Sequence, residues 1–216
     1  MNPFIPHDVR LIFKMQTSRL ELVRLSEDHL LGYFSIWKDP EATKWSSHGP
    51  CNTLDAAGEW ISELLPEVNP KGENYAVLLR QDLDPKSIEA SQQKREHLRG
   101  SSGYITPGAF LGWIGTWKSD PVPELGFVFH PDAWGLGFAT EALTAFKEGF
   151  WLARPEFDVL EAWCDTENKA SAKVLRKCGF ESVEVVYGDY LLPWMTPPLR
   201  NSERFRLVRP TTGYCN

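Results

Sequence analysis

Three features of the 216-residue sequence predict an α/β fold in three layers, α/β/α, around a mixed and mostly antiparallel sheet of about seven strands. Strand-like segments come early and then alternate with helical ones, which suits a sheet covered on both faces. An apolar strand over Glu124–Phe129 passes through a helical stretch to a second apolar strand over Leu160–Cys164, and such a crossover makes the two strands parallel neighbours. The length fits one large domain, residues 1–216, able to bury a full core.

In chain order, apolar and β-branched runs predict strands at Leu20–Arg24, Tyr75–Arg80, Phe110–Trp117, Glu124–Phe129, Leu160–Cys164, Glu181–Tyr187 and Arg204–Val208. Helical spacing predicts helices at Asp28–Trp37, Leu54–Leu65, Ala139–Leu152 and Lys169–Lys177. The last is specified at both ends. Asn168 suits its N-cap, and Lys173, Arg176 and Lys177 complement the dipole. Gly179 fits the left-handed position past the C-cap, with Phe180 folding back onto Leu175. Between Asp82 and Gly108 the composition turns polar with almost nothing to bury, which predicts a mobile insertion, 82–108, between two antiparallel strands. Gly188–Ser202, with Pro193, Pro197 and Pro198, reads as a loop rather than a strand.

The most informative stretch is His130–Ala142, where the Glu124 strand meets a glycine-broken turn that opens the Ala139 helix. The first N–H groups of a helix have no intrahelical partner and carry the positive end of its dipole, so an anion is bound there by backbone. Gly135 and Gly137 let the main chain approach that anion and take positive φ where the turn needs it. A Walker loop would require Gly-Lys-Ser or Gly-Lys-Thr, and a dinucleotide fingerprint three glycines with a following acidic residue; neither pattern is present.

Trp134 to Ala142 followed by Asn168-x-x-Ser171 through Gly179-Phe180 resembles the two cofactor motifs of the GCN5-related N-acetyltransferases (GNAT), in their RimJ/RimL-like branch. The likeness covers most of the chain, from Thr17–Leu22 through Glu124–Phe127 to Arg204–Val208. It implies the GNAT fold, with the two parallel strands splayed around the pantetheine arm of acetyl-CoA, the acetyl donor. It assigns the cofactor to Phe127, Val128, Trp134, Gly135, Leu136, Gly137, Phe138, Ala139, Thr140, Asn168, Ser171 and Lys177. Two positions depart from the broad pattern. Trp134 stands where the family usually has Gln or Arg, as is frequent in this branch. Leu175 occupies the position of the tyrosine that serves many members as general acid.

Acetyl transfer to an amine needs a neutral nucleophile, a stabilised oxyanion and a protonated leaving thiol. An alkylamine has a pKa near 10.4, so a base or a draining water chain is required. Glu124 begins the strand leading to the turn and matches the family's base position; on an apolar strand face its pKa would rise, while as a strand-start carboxylate it would simply be solvated. The resemblance makes Ser171 the proton donor to the thiolate, directly or through water; the bland alternative is a first-turn serine serving backbone. Cys164, alone on an apolar strand, reads as core rather than as a covalent carrier. His130 and Asp132 either assist the base or mark a polar strand end.

The function expected is therefore acetyl-CoA-dependent transfer to a primary amine, a protein N-terminus or a small amine, by direct transfer in a ternary complex. A catalytically silent acyl-CoA-binding sensor or scaffold is the alternative. The formal charge of −6 argues against a nucleic-acid partner. No membrane-length apolar run and no secretion signal occur, so a cytoplasmic protein is expected, with the nucleus open. The four cysteines and five histidines show no ligand spacing, so no metal is expected. The acceptor and the oligomeric state stay open.

Overall fold

The structure, a computed structural model, describes residues 14–84, 86, 88 and 105–210. Strands β1 (Met15–Gln16), β2 (Leu20–Arg24), β3 (Asn74–Leu79), β4 (Phe110–Lys118), β5 (Glu124–Phe129), β6 (Val159–Asp165), β7 (Glu181–Leu191) and β8 (Leu199–Val208) form one sheet. Its order is β1-β2-β3-β4-β5-β6-β8-β7. Every pairing is antiparallel except that of β5 with β6. The expected mixed sheet is therefore present, with the two-residue β1 as an added edge.

Alternation along the strands sends side chains to two cores. Tyr75, Val77, Leu79, Ile114, Leu125 and Phe129 pack with helices α3 (Phe138–Ala153) and α4 (Lys169–Lys177) on one face. Ala76, Trp113 and Val128 pack with α1 (Leu30–Trp37) and α2 (Leu54–Ser62) on the other. Phe138, Phe146 and Phe150 of α3 are among the largest fully buried side chains. The far end of α3 is held by polar groups. Arg154, buried, donates to buried Glu73 at 2.8 Å, and Glu73 also receives the Tyr75 hydroxyl at 2.8 Å and pairs with Arg24. Arg209 donates to the carbonyls of Trp151 and Arg154 at 3.0 and 2.8 Å, taking up acceptors that the end of a helix leaves open.

Two expectations are corrected. Gly188–Ser202 is not one loop: β7 continues to Leu191 and β8 starts at Leu199, leaving 192–198 as the connection. Gly188 has φ +60 within a register irregularity between Val186 and Tyr190, and Asn201 Oδ1 accepts its N–H at 2.9 Å. The glycine is thus absorbed inside a strand as a bulge. The second correction concerns 82–108, which does bury apolar surface. Ile88 is 4% exposed within the α3 core, and Leu83 and Ile105 pack against it. Mobility was expected of the whole of 82–108, of which 85, 87 and 89–104 lie outside the described residues.

Candidate active site

β5 and β6 share only two register pairs, Glu124 with Glu161 and Leu125 with Ala162. Beyond them β6 continues to Asp165 paired with β8, and β5 continues to Phe129 paired with β4, so a gap opens between the parallel strands. The phase of the β4–β5 ladder says what faces that gap. His130 N–H donates to Leu111 C=O at 2.9 Å, which makes Trp113–Val128 and Gly115–Gly126 the mutually hydrogen-bonded pairs. The main-chain groups of Phe127 and Phe129 therefore turn toward β6. The Trp134 indole N–H takes up the Phe129 carbonyl at 2.8 Å, leaving Phe127 as the residue whose main chain lines the gap. Val128 spends its main chain on β4, and its side chain packs on the α1–α2 face.

At the wide end of the gap the turn is built as expected. Gly135 and Gly137 adopt φ +78 and +82, and a Cβ at Gly135 would meet nothing within 4 Å. Gly137 is the N-cap of α3, and the helix's first bond runs from Glu141 N–H to Gly137 C=O at 3.1 Å. The N–H groups of Phe138, Ala139 and Thr140 thus point out of the helix without intrahelical partners. Beside them a cleft of about 490 Å³ is lined by Thr17, Gly137, Thr140, Glu141, Thr144 and Lys177, among others. Leu136 is half-buried against the α3 core together with Trp134 and Ala139.

Arg19 completes this turn and was not identified as a site residue from the sequence. Its Nη1 donates to Leu136 C=O at 2.9 Å, its Nε to Glu141 at 2.7 Å, and its guanidinium lies 4.5 Å from the centre of the Phe138 ring. Glu141 also accepts from Thr17 Oγ1 at 2.5 Å and from the Arg19 N–H at 2.9 Å. Burial pushes the Glu141 carboxyl up, but these donors and the Arg19 charge outweigh it and hold the pKa below the ordinary value. The N-terminal end of α3 is thereby locked to the residues that lead into β2.

The second motif folds as its sequence specifies. Asn168 Oδ1 accepts the Ser171 N–H at 3.1 Å, so it caps α4. At the other end Phe180 N–H reaches Leu175 C=O and Gly179 N–H reaches Arg176 C=O, both at 3.1 Å, with Gly179 at φ +91. This is the two-bond left-handed stop, and Phe180 and Leu175 are buried together. Leu175 is 1% exposed, so that position supplies only packing. The Ser171 hydroxyl has no hydrogen-bond partner among the described residues. Burial, with Glu203 nearby, pushes the Cys164 thiol up to about 12, which keeps it protonated and removes it as a nucleophile.

Glu124 opens β5 on the α1–α2 face, the face it shares with Gly126 and Val128. Burial raises its pKa above the ordinary value, opposed by the Lys118 charge and the Trp117 indole, and aided by Glu161. His130 accepts the Asp132 N–H at 3.2 Å and so serves as a cap for the short 131–133 turn. The 192–198 loop is tied down at both ends. Buried Arg200 forks onto Asp165 at 2.8 and 3.0 Å, and Trp194 donates to Lys44 C=O at 2.9 Å. Among the described residues no cluster of His, Cys, Asp or Glu is arranged to hold a metal.

The sequence model of the family described as Acetyltransferase (GNAT) domain matches residues 19–181. The chain belongs to this family and is an acetyltransferase by membership. No curated protein matches it in sequence. Among solved structures, a GNAT-family acetyltransferase from Bacillus anthracis is similar at 15% identity and TM-score 0.67, over 91% of this chain and 98% of that one. The spermidine N-acetyltransferase of Vibrio cholerae, in complex with CoA and spermine, is similar at 12% identity and TM-score 0.67, over 89% and 97%. An acetyltransferase from Salmonella typhimurium that modifies the N-terminal serine of a 50S ribosomal subunit protein is similar at 11% identity and TM-score 0.66, over 90% and 97%. At these identities the likeness carries the fold.

Proposed function

We propose that the protein is an acetyl-CoA-dependent N-acetyltransferase that acts on a primary amine, either a protein N-terminus or a small amine, by direct transfer in a ternary complex. One observation carries the reading: a gap between parallel strands has a positive-φ turn with three outward N–H groups at one end and a carboxylate of raised pKa at the other. The residues present suit the donor. The α3 N-terminus offers backbone to a pyrophosphate, with Lys177 across the cleft, and the Phe127 main chain and the Asn168 amide offer partners to an extended arm.

Acetyl-CoA supplies an activated acyl carbon and a thiolate leaving group. Glu124 takes the proton from the incoming ammonium, which frees the lone pair that forms the new C–N bond. The Phe127 N–H stabilises the oxyanion on the carbonyl, and as the C–S bond breaks the second proton of the attacking nitrogen passes through Ser171 or water to the leaving sulfur, which yields the neutral amide and the free thiol. Spermidine and a ribosomal N-terminus, the acceptors of two structural neighbours, motivate the choice of amines. Free-thiol release from acetyl-CoA, followed across a panel of polyamines, amino acids and N-terminal peptides, tests the reading. Turnover with at least one amine is expected, and release that no amine accelerates would contradict it.

A further inference from the structure

Arg19 is held from several sides, and one of its donors reaches into the positive-φ turn. Its Nε donates to Glu141 Oε2 at 2.7 Å, and its Nη2 lies 2.6 Å from the same oxygen. Glu141 Oε1 accepts from Thr17 Oγ1 at 2.5 Å, from Ser18 Oγ at 3.1 Å and from the Arg19 main-chain N–H at 2.9 Å. A carboxylate engaged on both oxygens fixes the guanidinium, which also lies 4.5 Å from the centre of the Phe138 ring. Nη1 is thereby aimed at the Leu136 carbonyl, to which it donates at 2.9 Å. That carbonyl belongs to the peptide that leads into Gly137. Gly137 has φ +82 and ψ 0, the dihedrals of the third residue of a type II turn. Flipping the preceding peptide converts such a turn to type I, with φ of about −90° at that residue. Glycine resists neither form. Because the C=O and N–H of a trans peptide point in opposite directions, the flip exchanges the Gly137 N–H for the Leu136 oxygen. In the form observed, a left-handed residue followed by helical Phe138 gathers successive N–H groups into one concavity that suits an anion.

We propose that Arg19 is a positioning residue for the pyrophosphate of acetyl-CoA: anchored by Glu141, it holds the Leu136 carbonyl so that the Gly137 N–H stays turned to the anion. This inference rests on the reading of the turn as the cofactor's phosphate site. Glu141 gives it a sign that simple charge does not. As a bare negative charge at the start of α3, Glu141 repels an anion, and its removal would tighten binding. As the anchor of Arg19 it aids binding, and its removal weakens it. Arg19 is likewise distinguished from a bare positive charge. Bonding Glu141 and the Leu136 carbonyl at once needs the planar fork of a guanidinium, and an ammonium keeps the charge but loses the fork.

The test uses the full chain, with acetyl-CoA titrations for affinity and proton–nitrogen spectra in which inorganic pyrophosphate probes the turn. Glu141→Gln should weaken acetyl-CoA binding roughly tenfold, the loss expected for one charge-assisted hydrogen bond. Arg19→Lys and Arg19→Met should weaken it alike. In the parent both acetyl-CoA and pyrophosphate should move the Gly137 amide resonance, and in all three variants pyrophosphate should move it far less. With the best amine of the panel, the variants should raise the KM for acetyl-CoA while kcat and the acceptor KM change little, a split that a general loss of stability does not produce. Tighter binding in Glu141→Gln, or parental affinity in Arg19→Lys beside a weak Arg19→Met, overturns the inference. A parent that binds acetyl-CoA without moving the Gly137 amide overturns the phosphate site and the inference with it. Thiol release that no amine accelerates overturns the proposed reaction instead, and the binding measurements, which need no acceptor, keep the two failures apart.

Discussion

At Gly137 any side chain would have to accept φ +82 within 3.4 Å of the Arg19 guanidinium, at the proposed pyrophosphate turn. A β-branched residue is strained there whatever the space. Gly137→Val should therefore cost the protein its response to acetyl-CoA. A ligand at 100 times its Kd adds about 2.7 kcal/mol, and a domain of this size moves about 2–4 °C per kcal/mol, so the parent should gain roughly 5–10 °C. The variant should gain none, and an equal shift in both would place the pyrophosphate elsewhere. Glu124 makes a second prediction at this scale. Because burial raises its pKa, the base form is lost on acidification at a higher pH than for an ordinary glutamate near 4.3. The acidic limb of kcat/KM should fall above that value, and Glu124→Gln should abolish or displace it.

Whole elements show what could be read from the residues and what could not. Both ends of α4 were legible because each has a local signature, Asn168 three residues before the N–H it caps and Gly179 at a left-handed stop. Arg19 was not, because its partner Glu141 lies 122 residues away and no spacing rule links them. The β7–β8 hairpin was misread for a related reason: Gly188 and three prolines signal a loop locally, while pairing with β8 decides otherwise. That hairpin is anchored by Arg200, whose fork on Asp165 is joined by Glu167 at 2.7 Å and by the Tyr190 hydroxyl, bonded to Asp165 at 2.8 Å. Removing one partner of such a buried pair costs on the order of 3 kcal/mol. Arg200→Ala should lower the melting temperature and loosen the 192–198 loop, which hydrogen exchange would register. Burial alone would push Asp165 up, but Arg200, the Glu167 N–H and Tyr190 outweigh it and hold its pKa down. Its stabilisation is then fully present above the unfolded carboxylate range near 4 and lost as pH falls through the lower folded value. The destabilisation in Arg200→Ala should accordingly be larger at pH 7 than at strongly acid pH, and a pH-independent difference would contradict this account.

Across the molecule, the mixed sheet and the parallel strand pair were visible in the sequence because strand and helix periods alternate in the second half of the chain, while the gap between those strands was implied only by the family resemblance. The register shift of the β4–β5 ladder between Thr116 and Lys118 was not, since a bulge is a property of two strands in register. The proposed function rests on the whole arrangement, a positive-φ turn that opens α3 at one end of the gap and a carboxylate at the other. Glu124→Gln keeps the shape of the site and removes the proposed base, so thiol release from acetyl-CoA with an active amine, measured in parent and variant beside cofactor affinity, tests the central claim. Turnover should drop about 10²- to 10⁴-fold, the contribution of a positioned base, while acetyl-CoA binds as before. A protein that binds acetyl-CoA but releases thiol no faster than Glu124→Gln with any amine would be a silent acyl-CoA binder, and the account would be wrong.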